Sequence, residues 1–247
     1  MKNYRIAVIG LGATGTVLAA ALLRKDPKTI LVVRPHGMGK TLLKEGIRVS
    51  GAISYFVPVE KYCGSIQDLG QDRPNLIFIS TKTCDLARVL DELATVFKPG
   101  TKIVSTHNGL GTEDLISERF GADSAFRMSL NLGVALIGPG QVMAAFFNPP
   151  NHLGTVIAEN HQIGKDIAGL FTDAGLDTAY VDDIKLYVWK KMVMKCTMAS
   201  ICAVTDKTIK EALHFPPTRE IADACFKEIV TVAAAKGYDL GENDIHQ

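Results

Sequence analysis

One stretch near the N-terminus limits the fold more than any other. It reads IAVIGLGATGTVLAAALL, from Ile6 to Leu23. Ile6–Ile9 is short, apolar and rich in β-branched residues, which is the pattern of a strand buried on both faces. Three glycines follow at the G-x-G-x-x-G spacing, Gly10, Gly12 and Gly15. Residues 14–23 are small or apolar good helix formers, and residues 30–33 (Ile-Leu-Val-Val) read as a second buried strand. Strand, glycine turn, helix and strand in this order make a βαβ unit.

The glycines have separate roles in such a unit. Gly10 permits the tight turn, Gly12 lets a ligand approach the backbone, and Gly15 lets helix and strand pack closely. The free N–H groups at the helix start suit a pyrophosphate. The whole loop, Gly10, Leu11, Gly12, Ala13, Thr14 and Gly15, is therefore a candidate dinucleotide cradle. The end of the second strand selects the cofactor. An acidic residue there would bond a ribose 2′-OH, but Arg34 stands 19 residues after Gly15. A guanidinium suits a 2′-phosphate, so the expected cofactor is NADP(H), with His36 and Lys40 close by.

The alternation continues. Strands are expected at 76–80 and 102–106, with helices at 85–97 and 113–120. Two apolar runs, 129–137 and 142–147, flank Gly138-Pro139-Gly140 and predict a hairpin. A strand at 155–158 and a helix at 163–174 follow. From Asp182 onward the pattern is helical, with helices expected to about residue 203 and over about 219–236. The expected fold is α/β: a Rossmann-type doubly wound parallel sheet over residues 1–181, then an all-helical domain over 182–247.

The chain has 27 basic and 26 acidic residues among its 247, so no bulk charge draws it to nucleic acid. No apolar run reaches the ~20 residues of a membrane span. The N-terminus has no signal-peptide layout. Five cysteines, with no C-x-x-C pair and no clustered histidines, argue against a disulfide framework or a metal site. A cytoplasmic protein acting on a small molecule is expected.

Three further stretches add chemistry. They are STKTCD at 80–85, THNGLGTED at 106–114, and WKKMVMKCTMA at 189–199. The first two follow expected strands, where ligands of open α/β sheets bind. With the glycine motif and Arg34, their order and spacing resemble the ketopantoate reductases (2-dehydropantoate 2-reductases) over essentially the whole chain. The resemblance implies NADPH-dependent reduction of 2-dehydropantoate to pantoate in pantothenate biosynthesis. It also implies roles. Lys82 lies at the cofactor end of the cleft, Asn108 near nicotinamide and substrate, and Lys191 bonds the ketone oxygen and supplies its proton. His107 reads as packing or surface.

Two departures from the family stand out. Lys195 and Ala199 occupy positions where the family has substrate-holding asparagines. On a regular helix Lys191, Lys195 and Ala199 share one stripe, so Lys195 is a candidate partner for a substrate carboxylate. Family members also run on into a helical segment bearing a serine and a glutamate that bind substrate, which suggests truncation at residue 247. A dimer partner is one way to cover the apolar surface so left. Beside 2-dehydropantoate, therefore, stand another 2-oxo acid, an opine-type reaction, and a non-catalytic NADP-binding sensor or subunit.

Overall fold

The computed structural model describes residues 4–33 and 37–240. Arg34 and His36, named above, lie outside them. The chain forms two compact units, Met1–Ile184 and Lys185–Gln247.

The first unit holds the sheets. In chain order its elements are β1 (Ile6–Ile9), α1 (Ala13–Lys25), β2 (Ile30–Val32), α2 (Met38–Glu45), β3 (Ile47–Gly51), β4 (Tyr55–Val57), β5 (Tyr62–Cys63), α3 (Leu69–Asp72) and β6 (Leu76–Ile79). Next come α4 (Leu86–Ala94), β7 (Lys102–Ser105), α5 (Thr112–Phe120), β8 (Ala125–Ser129), β9 (Leu132–Gly138), β10 (Gln141–Phe147), β11 (Asn151–Thr155), α6 (His161–Asp173) and β12 (Thr178–Tyr180).

The main sheet has eight strands in the order β12-β11-β8-β7-β6-β1-β2-β5. From β5 to β8 every pairing is parallel. Strand order reverses at β1, which lies between β2 and β6. This is the switch point at which such sheets bind ligands. Alternate residues along each strand face opposite cores. Val8, Phe78, Val104 and Phe126 join the core under α1 and α6. Ala7, Ile9, Ile77, Ile79 and Ile103 join Leu86, Val89, Leu90 and Leu93 of α4 and Ile116 of α5 on the other side. The doubly wound parallel sheet is thus present.

Three features differ from the sequence-based expectation. β11 runs antiparallel to β8, so the far edge of the sheet is mixed. The expected strand at 155–158 in fact lies earlier, at Asn151–Thr155. The run 129–137 is broken between β8 and β9, and each part enters a different sheet. The second sheet, in the order β4-β3-β10-β9, contains the expected β9–β10 hairpin. Its partner β3 pairs in parallel with β10 from almost a hundred residues earlier in the chain. A pairing of such long range has no local signal.

The second sheet explains α1. This helix has nine consecutive buried residues, Gly15 to Leu23. A helix that is apolar all round must be covered all round. α1 touches β1 and α6 on one side and β3, β4, β9 and β10 on the other. Tyr55 of β4 holds the helix edge, with its hydroxyl on the Val17 carbonyl and its ring under Arg24.

The second unit is helical. α7 (Ile184–Met194) leads into a π-helical turn over Lys195–Ala199, then α8 (Ser200–Thr205), α9 (Ile209–His214) and α10 (Pro216–Ala235). α9 opens on a capping box, in which Thr208 and Glu211 each bond the other's backbone N–H. Trp189 and Val193 of α7 pack with Ala233 of α10 and with Leu240. Among the described residues no helix is long and apolar enough to cross a membrane.

Phe78 and Phe171 meet edge to face beneath the main sheet, with ring centroids 5.1 Å apart. Both are fully buried. Phe78→Ala is expected to cost about 3–5 kcal/mol of unfolding free energy, measured as a lower urea midpoint with an unchanged m-value.

Candidate active site

The glycine loop lies at the carboxyl end of β1, and its three glycines differ in what they require. Gly10 has φ +91°, and a Cβ there would lie 2.7 Å from Thr81 Cγ2 and 2.8 Å from Thr81 N. The turn after β1 is thereby pressed against the loop after β6. A Cβ on Gly15 would lie 1.9 Å from the Gly10 carbonyl oxygen, so helix and turn can approach only if residue 15 is glycine. Gly12 is different. Its φ of −71° is open to any residue, and nothing lies within 4 Å of where a Cβ would be. Neither conformation nor internal packing requires glycine at position 12. The first turn of α1 carries no acidic residue and no side-chain cap, so its N–H groups face outward.

The loops after β6 and β7 carry Lys82 and Asn108. Both side chains are exposed, at the carboxyl ends of adjacent parallel strands. Four hydrogen bonds tie these loops together. Ser80 and Thr106 hydroxyls meet at 2.7 Å, and the Thr106 hydroxyl also donates to the Ile79 carbonyl at 3.0 Å. Thr81 Oγ1 lies 3.3 Å from His107 Nε2. Thr83 Oγ1 donates to the Asn108 carbonyl at 3.1 Å. Backbones that carry exposed polar side chains are thus held from behind, which lowers the ordering cost of binding.

Beneath the Asn108 loop is a buried polar cluster that the local sequence pattern does not reveal. Arg127 on β8 is 2% exposed and Glu113 on α5 is 1% exposed, and Arg127 Nη1 lies 3.3 Å from Glu113 Oε2. Ser105 Oγ bonds Thr112 Oγ1 at 2.7 Å and His107 Nδ1 at 2.9 Å. His107 is therefore a packed, bonded residue rather than a surface one. Burial, reinforced by the neighbouring Arg127 charge, pulls its pKa down to about 4, so the imidazole is neutral at physiological pH. One signal for the cluster was available. An arginine within the apolar run Ala125–Ser129, all five residues of which are buried, needs an acidic or carbonyl partner.

In the helical unit Lys191 is half-buried on α7, two residues after the buried Trp189. The Trp189 ring lies 5.9 Å from that of Tyr238. Lys195 is exposed and begins the π turn. The expectation of one regular helix through Lys191, Lys195 and Ala199 is corrected here, because residues 195–199 form a π turn. Lys191 and Lys195 keep the one-turn spacing. Thr197 Oγ1 donates to the Val193 carbonyl at 2.8 Å and Ser200 Oγ to the Lys195 carbonyl at 3.2 Å, supporting the distorted turn.

The structure thus brings the glycine loop, Lys82 and Asn108 to one edge of the main sheet, and sets Lys191 and Lys195 on successive turns of one helix. A doubly wound sheet with a glycine loop opening a helix at its switch point defines a dinucleotide-binding class of fold. Comparison with known proteins narrows the class. Residues 6–156 match the family model described as Ketopantoate reductase PanE/ApbA, and residues 183–247 match Ketopantoate reductase PanE/ApbA C terminal. The chain belongs to the ketopantoate reductase family and is a nicotinamide-dependent oxidoreductase acting on a CH–OH group.

Among its relatives, the 2-dehydropantoate 2-reductase of Streptococcus pyogenes serotype M1 is 26% identical over 245 residues, covering 98% of this chain and 78% of the relative. That of Lactococcus lactis is 21% identical over 246 residues, with the same coverage. The crystal structure of 2-dehydropantoate 2-reductase from Geobacter metallireducens superposes with a TM-score of 0.88 at 23% identity, covering 98% of this chain and 80% of the other. A ternary structure of D-mandelate dehydrogenase with NADH and anilino(oxo)acetate gives 0.87 at 20% identity, covering 98% and 77%. These two structural likenesses are of fold.

Two expected outcomes follow from the geometry. Gly15→Ala is destabilised, because its Cβ meets a backbone oxygen. Gly12→Ala unfolds within about 1 kcal/mol of the parent yet binds dinucleotide at least about tenfold more weakly; urea titration and cofactor titration separate the two effects. The second outcome concerns pH. Folded His107 resists protonation, whereas the unfolded chain protonates it near 6.5, so its contribution is full above pH 6.5 and is lost as pH falls towards about 4. Relative to His107→Gln, the parent should lose at most about 3 kcal/mol across that window, read from urea midpoints at each pH.

Proposed function

We propose that the protein reduces a 2-oxo acid with NADPH, and that 2-dehydropantoate, giving pantoate, is the substrate. The observation that carries the proposal is Gly12. Nothing inside the protein asks for a glycine there, and the open space before it faces the N-terminus of α1 at the switch point of the sheet. A dinucleotide phosphate accounts for both features.

NADPH supplies the hydride when bound. On this reading Gly10, Leu11, Gly12, Ala13, Thr14 and Gly15 cradle its pyrophosphate. Arg34 would hold the 2′-phosphate through its guanidinium, and Lys82 would add a cation at the cofactor end. Asn108 orients the carboxamide or the substrate carbonyl through its amide. As the ketone carbon gains a hydride its oxygen gains negative charge. The Lys191 ammonium stabilises that charge and donates the proton that completes the alcohol. Lys195 pairs with the substrate carboxylate.

A second reading keeps the chemistry and changes the acid. It is favoured by Lys195 and Ala199 and by the likeness to D-mandelate dehydrogenase, a protein seen with an oxo acid of a different shape. A substrate panel followed by NADPH absorbance decides between them. The 2-dehydropantoate assignment requires the highest kcat/KM on that acid, and a higher value on another 2-oxo acid removes it. Lys191→Ala should lower kcat/KM by about 10²–10⁴-fold while cofactor affinity holds. Turnover unaffected by this change would remove the role given to Lys191, and turnover absent in the parent with every oxo acid would sink the reductase reading. Arg34→Ala should weaken NADPH at least about tenfold and leave NADH unchanged; equal affinity for both in the parent would refute the NADP preference.

A further inference from the structure

We propose that Arg127, held by Glu113, is a positioning residue for the reaction and acts through the backbone of the loop that carries Asn108. The inference rests on the reading of Asn108 given above. It goes beyond that reading by assigning a role to a pair buried behind the loop.

The geometry is specific. A single nitrogen, Arg127 Nη2, donates to the His107 carbonyl at 2.5 Å and to the Gly109 carbonyl at 2.8 Å. These are the carbonyls on either side of Asn108. The Asn108 carbonyl itself accepts from Thr83 at 3.1 Å. Three consecutive carbonyls are thus held by side chains from two neighbouring segments, while the Asn108 side chain is exposed. The second guanidinium nitrogen, Nη1, is anchored by Ser105 Oγ and Glu113 Oε2, each at 3.3 Å. The loop also needs two left-handed glycines, Gly109 at φ +101° and Gly111 at φ +78°. Because glycine has the freest backbone of any residue, such a loop stays in one conformation only if its surroundings hold it.

Stability does not account for the pair. Burying a guanidinium and a carboxylate costs about as much as their attraction returns, and a well-packed apolar pair is commonly as stable or more so. Arg127 Nε, moreover, is buried without a partner. What an apolar pair cannot do is present a rigid planar fork to loop carbonyls. The sheet places the fork where it is needed, since Arg127 is the register partner of Ser105, the last residue of β7 before the loop.

The test is a double-mutant cycle on kcat in the full-length protein, with Arg127→Met and Asn108→Ala alone and together. Arg127→Met should lower kcat about tenfold in the parent and less than about twofold in the Asn108→Ala background. A merely structural role would lower kcat by the same factor in both backgrounds, and that result would overturn the proposal. So would an unchanged kcat in Arg127→Met. If Asn108→Ala leaves kcat intact while Arg127→Met lowers it, the role of Asn108 falls, and with it the route assigned to Arg127. If Asn108→Ala lowers kcat and the two changes simply multiply, only the positioning role falls. Arg127→Met leaves Glu113 buried and unpaired. The charge-neutral pair Arg127→Met with Glu113→Gln repeats the cycle if the single variant does not fold, and is expected to give the same coupling.

Discussion

A helix with no polar face is the constraint on which the first unit depends. α1 presents small and apolar residues around its whole circumference, so a single sheet cannot satisfy it. The main sheet covers one side. The small sheet, assembled from strands far apart in the chain, covers the other. Because α1 is clamped on both sides, its N-terminus is fixed relative to β1 and β6. That is where the glycine loop must hold its shape. The cover of α1 and the geometry of the cradle are therefore one problem with one solution.

The same economy holds at the neighbouring loops. Parallel strands end together at one edge, and the loops leaving β6 and β7 are joined by hydroxyl hydrogen bonds. Behind them Arg127, Glu113, Ser105, Thr112 and neutral His107 form a connected buried cluster. Such clusters specify orientation more than they add stability. Exposed side chains with a rigid backbone behind them suit a surface that must meet a flexible dinucleotide and a small acid in one arrangement.

Much of this was legible beforehand, for identifiable reasons. β1, α1, β2, β6 and β7 are short-range patterns of apolarity and glycine, and the structure has them within a few residues of expectation. That the glycine loop, Lys82 and Asn108 stand just after strands was legible because those strands are of recognisable type; their roles came from the family resemblance. The small sheet was not, since β3 and β10 pair over almost a hundred residues. Arg127 and Glu113 were missed because each looks ordinary alone, and only the pairing of β7 with β8 sets them under the same loop. The π turn after Met194 was missed because a helical wheel assumes constant pitch, whereas Thr197 and Ser200 bond back to carbonyls of the preceding turns.

The sequence by itself determined the class of fold and the sheet edge on which the glycine loop, Lys82 and Asn108 stand. Both follow from local pattern: buried strands alternating with helices, and a glycine spacing that leaves a helix N-terminus open. Only the tertiary structure decided how α1 is covered, which buried charges hold the Asn108 loop, and that the helix bearing Lys191 passes into a π turn at Lys195. These depend on groups distant in sequence meeting in space, or on a backbone departing from regular pitch, and neither is encoded in periodicity.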